Sequence, residues 1–167
     1  MRLSTALVLP ALLLSAPLAA QAPAAKAYLA TSDSSRAVGE QYIRAYVALD
    51  WDAIESMLAD SASFQDPTAQ IIFGGRLVSG KAAMLAFFRE NYAGLTMSFV
   101  ESRSFFSGHY AVIEGELTWS APLQNGGRVT SKDGAFVLIL RIEGGKVVEH
   151  RDYTTYKPFI DAMQAMR

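Results

Sequence analysis

The spacing of apolar positions divides the chain into two halves with different periods. In SDSSRAVGEQYIRAYVAL the apolar residues Val38, Tyr42, Ala45, Tyr46 and Leu49 recur at helical intervals and predict one helix with a single buried face. Its N-cap is expected within Ser32 to Ser35. Asp50 is placed to cap a second, shorter helix over DWDAIESMLAD, with Ile54, Met57 and Leu58 on one side and an acidic first turn suited to the helix dipole. A short strand over Ala62–Gln65 stops at Asp66-Pro67, and a hairpin is expected around Gly74-Gly75. Ser79 is expected to cap a third helix carrying Met84, Phe87, Phe88 and Tyr92 on one face and ending at Gly94.

From Thr96 the period changes from 3.6 to 2. TMSFVESRSFF, HYAVIEGELTWSA, RVTSKDGAFVLILRI and KVVEHRDYTTY predict four strands, joined by links short enough for antiparallel hairpins. FVLILRI is apolar on both faces, which predicts a central strand covered on both sides. PFIDAMQAM reads as a short terminal helix. Helices followed by antiparallel strands make an α+β pattern, and a long sheet with helices on one face curls and can enclose a pocket.

The first residues change the picture of the chain as a whole. MRLSTALVLPALLLSAPLAAQAPAA has a basic start at Arg2, an apolar stretch from Ala6 to Leu14 and small residues from Ala16, the layout of a secretory signal. That stretch is shorter than the ~20 apolar residues a bilayer requires, so stable membrane insertion is not expected. Residues 1–24 are read as signal and cleavage region, with cleavage after Ala20 or Ala24 and a periplasmic or secreted product. Residues 25–33 are read as a flexible leader and residues 34–167 as the domain. The mature chain of about 145 residues is one domain with a sizeable core.

Removing Arg2 from 15 basic residues leaves 14 against 16 acidic ones, a net charge near −2 without a basic stripe, which argues against nucleic acid. The chain has no cysteine, so no disulfide framework holds it. Its two histidines show no metal-ligand spacing, and neither metal nor cofactor is expected.

YIRAYVALDWDAIESMLADSASFQDP, GGRLVSGKAAM and GKVVEHRDY, in this order, resemble the nuclear transport factor 2-like superfamily over about residues 34–160. Its enzymes include ketosteroid isomerases, SnoaL-type polyketide cyclases and limonene epoxide hydrolases. The resemblance implies a strongly curved, mainly antiparallel sheet wrapped around about three N-terminal helices, a cone with a central apolar pocket, and a homodimer through the sheet. Residue by residue, Tyr42 matches the tyrosine that donates to the substrate oxygen in the isomerases, and Asp66 matches their general base. Asp152 matches the water-activating Asp of the hydrolases. The isomerases' second acid has no counterpart here, since FVLIL carries none around Val137 or Leu138. The hydrolases' arginine is also missing from the strand that carries Glu114 and Glu116.

Within VVEHRDYTTY, alternation puts Val148, His150, Asp152, Thr154 and Tyr156 on one face and Val147, Glu149, Arg151, Tyr153 and Thr155 on the other. Alternation leaves open which set faces inward; the resemblance turns Asp152 in, with His150 and Tyr156. Asp152, His150 and Asp66 are the candidate acid–base residues. Tyr42, Phe87, Phe88, Phe99, Trp119, Phe136 and Tyr156 are the candidate pocket residues. Each has a plain structural alternative: Asp66 as a turn acceptor, Asp152 as a buried acceptor or a partner of Arg151, and Tyr42 as a core aromatic. Glu114 and Glu116 are expected on a solvated face, and His109 on the surface. Two functions stand side by side. One is an exported isomerase, cyclase or hydrolase with a carboxylate base for an apolar small molecule. The other is a non-catalytic ligand-binding or dimerisation domain of the same fold.

Overall fold

The computed structural model describes residues 18–75 and 77–166. The expected secretory signal lies outside them as far as residue 17. Among the described residues the chain forms helices α1 (Leu18–Val47) and α2 (Trp51–Met57), strand β1 (Leu58–Gln65), a 3₁₀ turn (Pro67–Ala69), α3 (Gln70–Phe73), β2 (Val78–Ser79) and α4 (Lys81–Asn91). Strands β3 (Thr96–Ser107), β4 (Tyr110–Pro122), β5 (Arg128–Glu143) and β6 (Lys146–Thr154) follow, and α5 (Lys157–Ala165) ends the chain. The six strands form one curved, open sheet in the order β2-β1-β6-β5-β4-β3, antiparallel except for β1 beside β6. This is the α+β architecture expected.

Helix α1 starts before the expected cap. The Thr31 and Ser32 hydroxyls donate to the carbonyls of Ala27 and Tyr28, one turn back, instead of capping a helix start. Residues 25–33, expected as a flexible leader, therefore continue the helix. They also meet the β3–β4 turn: Tyr28 bonds Ser107, Ser32 accepts from the Gly108 amide, and Ser35 donates to the Gly108 carbonyl. Further along, Tyr42, Ile43, Ala45 and Tyr46 bury the predicted stripe against the sheet.

Two local expectations fail, the first because short-range hydrogen bonds outcompete the pattern and the second because strand pairing takes up Ser79. The Asp66 carboxylate caps the 3₁₀ turn through the Thr68 and Ala69 amides, so the chain winds into α3 before Gly74, at φ +67°, ends it. No hairpin turns at Gly74-Gly75; β2 pairs with β1 only after this excursion. Ser79 belongs to β2, and the cap position of α4 is Gly80, whose φ of +94° suits glycine alone.

Strand β5 is central, and Phe136, Leu138, Leu140 and Ile142 are buried beneath the helices. Val137 and Ile139 on its outer face are only half-buried, because the helices pack against one side of the sheet. Gly115 of β4 faces inward under the Phe99 ring. A Cβ there would lie 2.7 Å from that ring and 2.2 Å from the Val100 carbonyl, so Phe99 fills the place of the missing side chain. A bulge in β6 breaks the simple alternation: Arg141 pairs with Glu149 but Ile142 with Val147. Val147, not Val148, is the buried valine beside His150 and Asp152. Among the described residues no helix is long and apolar enough to cross a membrane.

Candidate active site

Between α4, α5 and the inner face of the sheet lies a cavity of about 700 Å³. Phe64, Phe87, Met97, Leu117, Trp119 and Phe136 supply apolar wall. Phe73 meets Phe159 and Tyr156 at ring distances of 5.5 and 5.3 Å, and Phe159 stacks on Trp119 at 5.1 Å, so α3 and α5 close over one side. Asp66 and Asp152 both line the cavity. The parallel pairing of β1 with β6, Gln65 opposite Arg151, carries the chain to Asp66 on the Asp152 side of the sheet.

Asp152 is 3 % exposed and holds two hydrogen bonds. Tyr46 donates to its Oδ2 at 2.7 Å, and His150 Nε2 lies 2.7 Å from its Oδ1. An ionised carboxylate only accepts, so His150 carries a proton on Nε2, and its Nδ1 can accept from the Tyr42 hydroxyl at 3.0 Å. The Tyr46 hydroxyl also lies 2.8 Å from that of Tyr92. His150 is fully buried, with the rings of Tyr42, Tyr46, Phe64 and Phe88 at 4.9–5.8 Å.

Asp66 is differently employed. Its Oδ1 accepts from the amides of Thr68 and Ala69 and from the Thr68 hydroxyl, and its Oδ2 accepts from Tyr156 at 2.6 Å. Turn chemistry and the anchoring of Tyr156 account for its hydrogen bonds.

Of the residues expected at the pocket, Phe87, Trp119, Phe136 and Tyr156 line the cavity. Tyr42, Phe88 and Phe99 do not. Tyr42 is wholly buried with its hydroxyl on His150, which removes it from the expected place on a substrate oxygen. Phe88 lies behind the wall, stacked on Trp51 at 5.1 Å. Phe99 covers Gly115 and meets Phe136 edge-on. His150 also stands behind the wall, and its hydrogen bond towards the cavity is the one to Asp152. The residues that sequence reasoning kept as core but the cavity uses are Tyr46 and Tyr92. Tyr46 follows Tyr42 by one helical turn on the same stripe, so the stripe pointed to both without separating them. On the outside, Glu149 pairs with Arg151 and Arg141, Glu114 with Arg103, and His109 is exposed, as expected.

The phenols keep their protons. Burial, then the Asp152 charge, pushes Tyr42 and Tyr46 well above the ordinary value of 10.0. Tyr92 is raised by the same two causes, and Tyr156 by burial and its bond to Asp66. A group whose folded form holds its proton longer adds stability that is complete below the unfolded value and is lost as pH rises past it. The urea midpoint is therefore expected to hold to about pH 9 and to fall beyond about pH 10, less steeply in Tyr42→Phe. A wild-type midpoint unchanged at about pH 11 contradicts this.

A family model described as a SnoaL-like domain matches residues 40–150. A search of curated protein sequences found no match. Among solved structures, a protein of Shewanella denitrificans described as a SnoaL-like polyketide cyclase is similar at 19 % identity and a TM-score of 0.69, over 78 % of this chain and 97 % of that one. A Mycobacterium tuberculosis protein described as an LEH-like epoxide hydrolase is similar at 16 % and 0.61, over 81 % and 96 %. A Kribbella flavida protein described as a ketosteroid isomerase is similar at 19 % and 0.53, over 74 % and 78 %. At these identities the likeness shows the fold.

Proposed function

The chain belongs to the SnoaL-like domain family, and from that premise we propose that it takes an apolar, uncharged small molecule into the cavity and uses Asp152 as general base. The observation that carries this reading is the Asp152 carboxylate at the cavity wall, held from behind by His150 and from the side by Tyr46. Each carboxylate oxygen accepts one hydrogen bond and keeps a lone pair for a proton. Asp66, with four donors, orients Tyr156. Among the described lining residues Asp66 and Asp152 are the charged ones, with no Lys or Arg, which disfavours an anionic ligand. A ketone or a related carbon acid suits such a site, as substrate of an isomerase- or cyclase-type proton transfer.

The test needs no physiological substrate: exchange of the α-hydrogens of 2-decalone in heavy water, followed by mass spectrometry. Wild type is expected to accelerate exchange and Asp152→Asn to lose the acceleration. Ketone binding without exchange in wild type supports the second reading, a ligand-binding domain. That reading is favoured by the lack of a second acid at Val137 or Leu138 and of an arginine on the strand that carries Glu114 and Glu116.

We further propose that the chain is exported after loss of its first 20–24 residues and forms a homodimer through the outer sheet face, where Val100 and Phe105 of β3 are exposed on the same side as Val137 and Ile139 of β5. Native mass measurement on chain recovered from the periplasm or the medium reads both. The expected mass is twice that of the shortened chain; a monomer or an intact N-terminus refutes the corresponding part.

A further inference from the structure

The proton positions along the hydroxyl chain follow from what each group can accept. Tyr46 has one proton, and it is committed to Asp152. The 2.8 Å contact between the two tyrosines must then be Tyr92 donating to Tyr46. Tyr92 lines the cavity, and its hydroxyl makes no other hydrogen bond among the described residues. At rest, the Tyr92 hydroxyl thus gives its proton to Tyr46, towards the base.

We propose that Tyr92 is the donor to the substrate oxygen, and that it turns to the substrate as Asp152 takes the substrate's proton. This rests on the reading of Asp152 as base. Asp152 removes a hydrogen from the carbon beside the ketone: the C–H bond breaks, an O–H bond forms on the carboxylate, and the electron pair moves onto the ketone oxygen as an enolate. The carboxyl group, now neutral, accepts hydrogen bonds more weakly. Tyr46 swings its O–H from Asp152 to the Tyr92 oxygen, and Tyr92 swings its own to the enolate. Neither tyrosine gives up its proton; only hydrogen bonds change hands. Return of the Asp152 proton to a carbon of the enolate resets the chain. The donor is thereby presented when negative charge develops and withheld from the ground state, which is the condition for raising the rate rather than merely tightening binding. Burial and the nearby carboxylate, which keep both phenols protonated, keep them able to donate.

The experiment combines 2-decalone exchange with the infrared carbonyl stretch of bound 2-decalone. Tyr92→Phe is expected to slow exchange about tenfold or more with KM within about threefold, since the interaction is absent from the ground state and forms as charge develops on the oxygen. In Asp152→Asn, whose amide imitates the neutral acid, the carbonyl stretch is expected below its wild-type position. Adding Tyr92→Phe is expected to cancel that shift, an effect that loss of packing alone would not produce. Tyr46→Phe removes the link and with it the acceptor of the Tyr92 hydroxyl, and in that background Asp152→Asn is expected to leave the stretch where Tyr46→Phe alone puts it. Exchange lost in Asp152→Asn but retained in Tyr92→Phe, or a carbonyl shift that survives either tyrosine change, overturns the relay and leaves the base standing. Full exchange in Asp152→Asn, or none in wild type, overturns the base and the relay with it.

Discussion

Asp152→Asn is expected to slow ketone exchange by about 10²–10⁴, the usual contribution of a positioned base, while Asp66→Asn slows it by about tenfold at most. The two acids share a cavity, but their hydrogen bonds divide them. Asn at 152 keeps the shape, with its oxygen accepting from His150 Nε2–H and its amide donating to the Tyr46 oxygen. His150 keeps its proton on Nε2 and Tyr42 its acceptor, and the Tyr46 hydroxyl turns to Tyr92, so the fold survives and the proton acceptor is gone. Asn at 66 remains a good cap for Thr68 and Ala69. Its amide cannot accept from Tyr156, however, and this exchange of an acceptor for a donor costs about 1–2 kcal/mol of stability. Asp152→Asn should thus fail in rate and Asp66→Asn in thermal midpoint. Equal losses of rate would make Asp66 a partner in proton transfer, and no loss in either would leave a binding pocket.

How far the site was legible depends on the scale at which its geometry is set. Period and turn chemistry carried the four long strands, the Asp50 cap and the terminal helix, because those are determined within a few residues. His150 and Asp152 share a face through i and i+2, so their pairing could be read as soon as the strand was. The neighbouring Val147 could not be placed, because the bulge at Val148 arises from how β5 and β6 pair, not from either strand alone. Tyr42 and Tyr46 are equivalent in a helical pattern. Only the seating of α1 on the sheet puts Tyr42 behind His150 and Tyr46 against Asp152. The same holds for Phe87 and Phe88, adjacent in α4, where the first faces the cavity and the second packs on Trp51. The approach of Asp66 to the Asp152 side depends on the parallel pairing of β1 with β6, strands about eighty residues apart that no local signal links.

His150→Leu is expected to cost about 3–5 kcal/mol in urea unfolding, the largest effect on stability argued here. The side chains are similar in size, so the loss comes from polarity rather than from a void. The imidazole gives Asp152 one of its two donors and gives Tyr42 its only acceptor among the described residues, all inside the core. Leucine leaves a buried carboxylate half-satisfied and a buried hydroxyl with no acceptor. Tyr42→Phe should reveal which part of the loss belongs to the hydroxyl. Made in wild type, it strips His150 Nδ1 of its donor and costs about 1 kcal/mol. Made on His150→Leu, it removes the stranded hydroxyl and restores about 1–2 kcal/mol. The same substitution thus changes sign with its background, which two independent packing defects would not do. A Tyr42→Phe cost of the same sign and size in both backgrounds would mean that the Tyr42–His150 hydrogen bond contributes nothing to holding Asp152 in place.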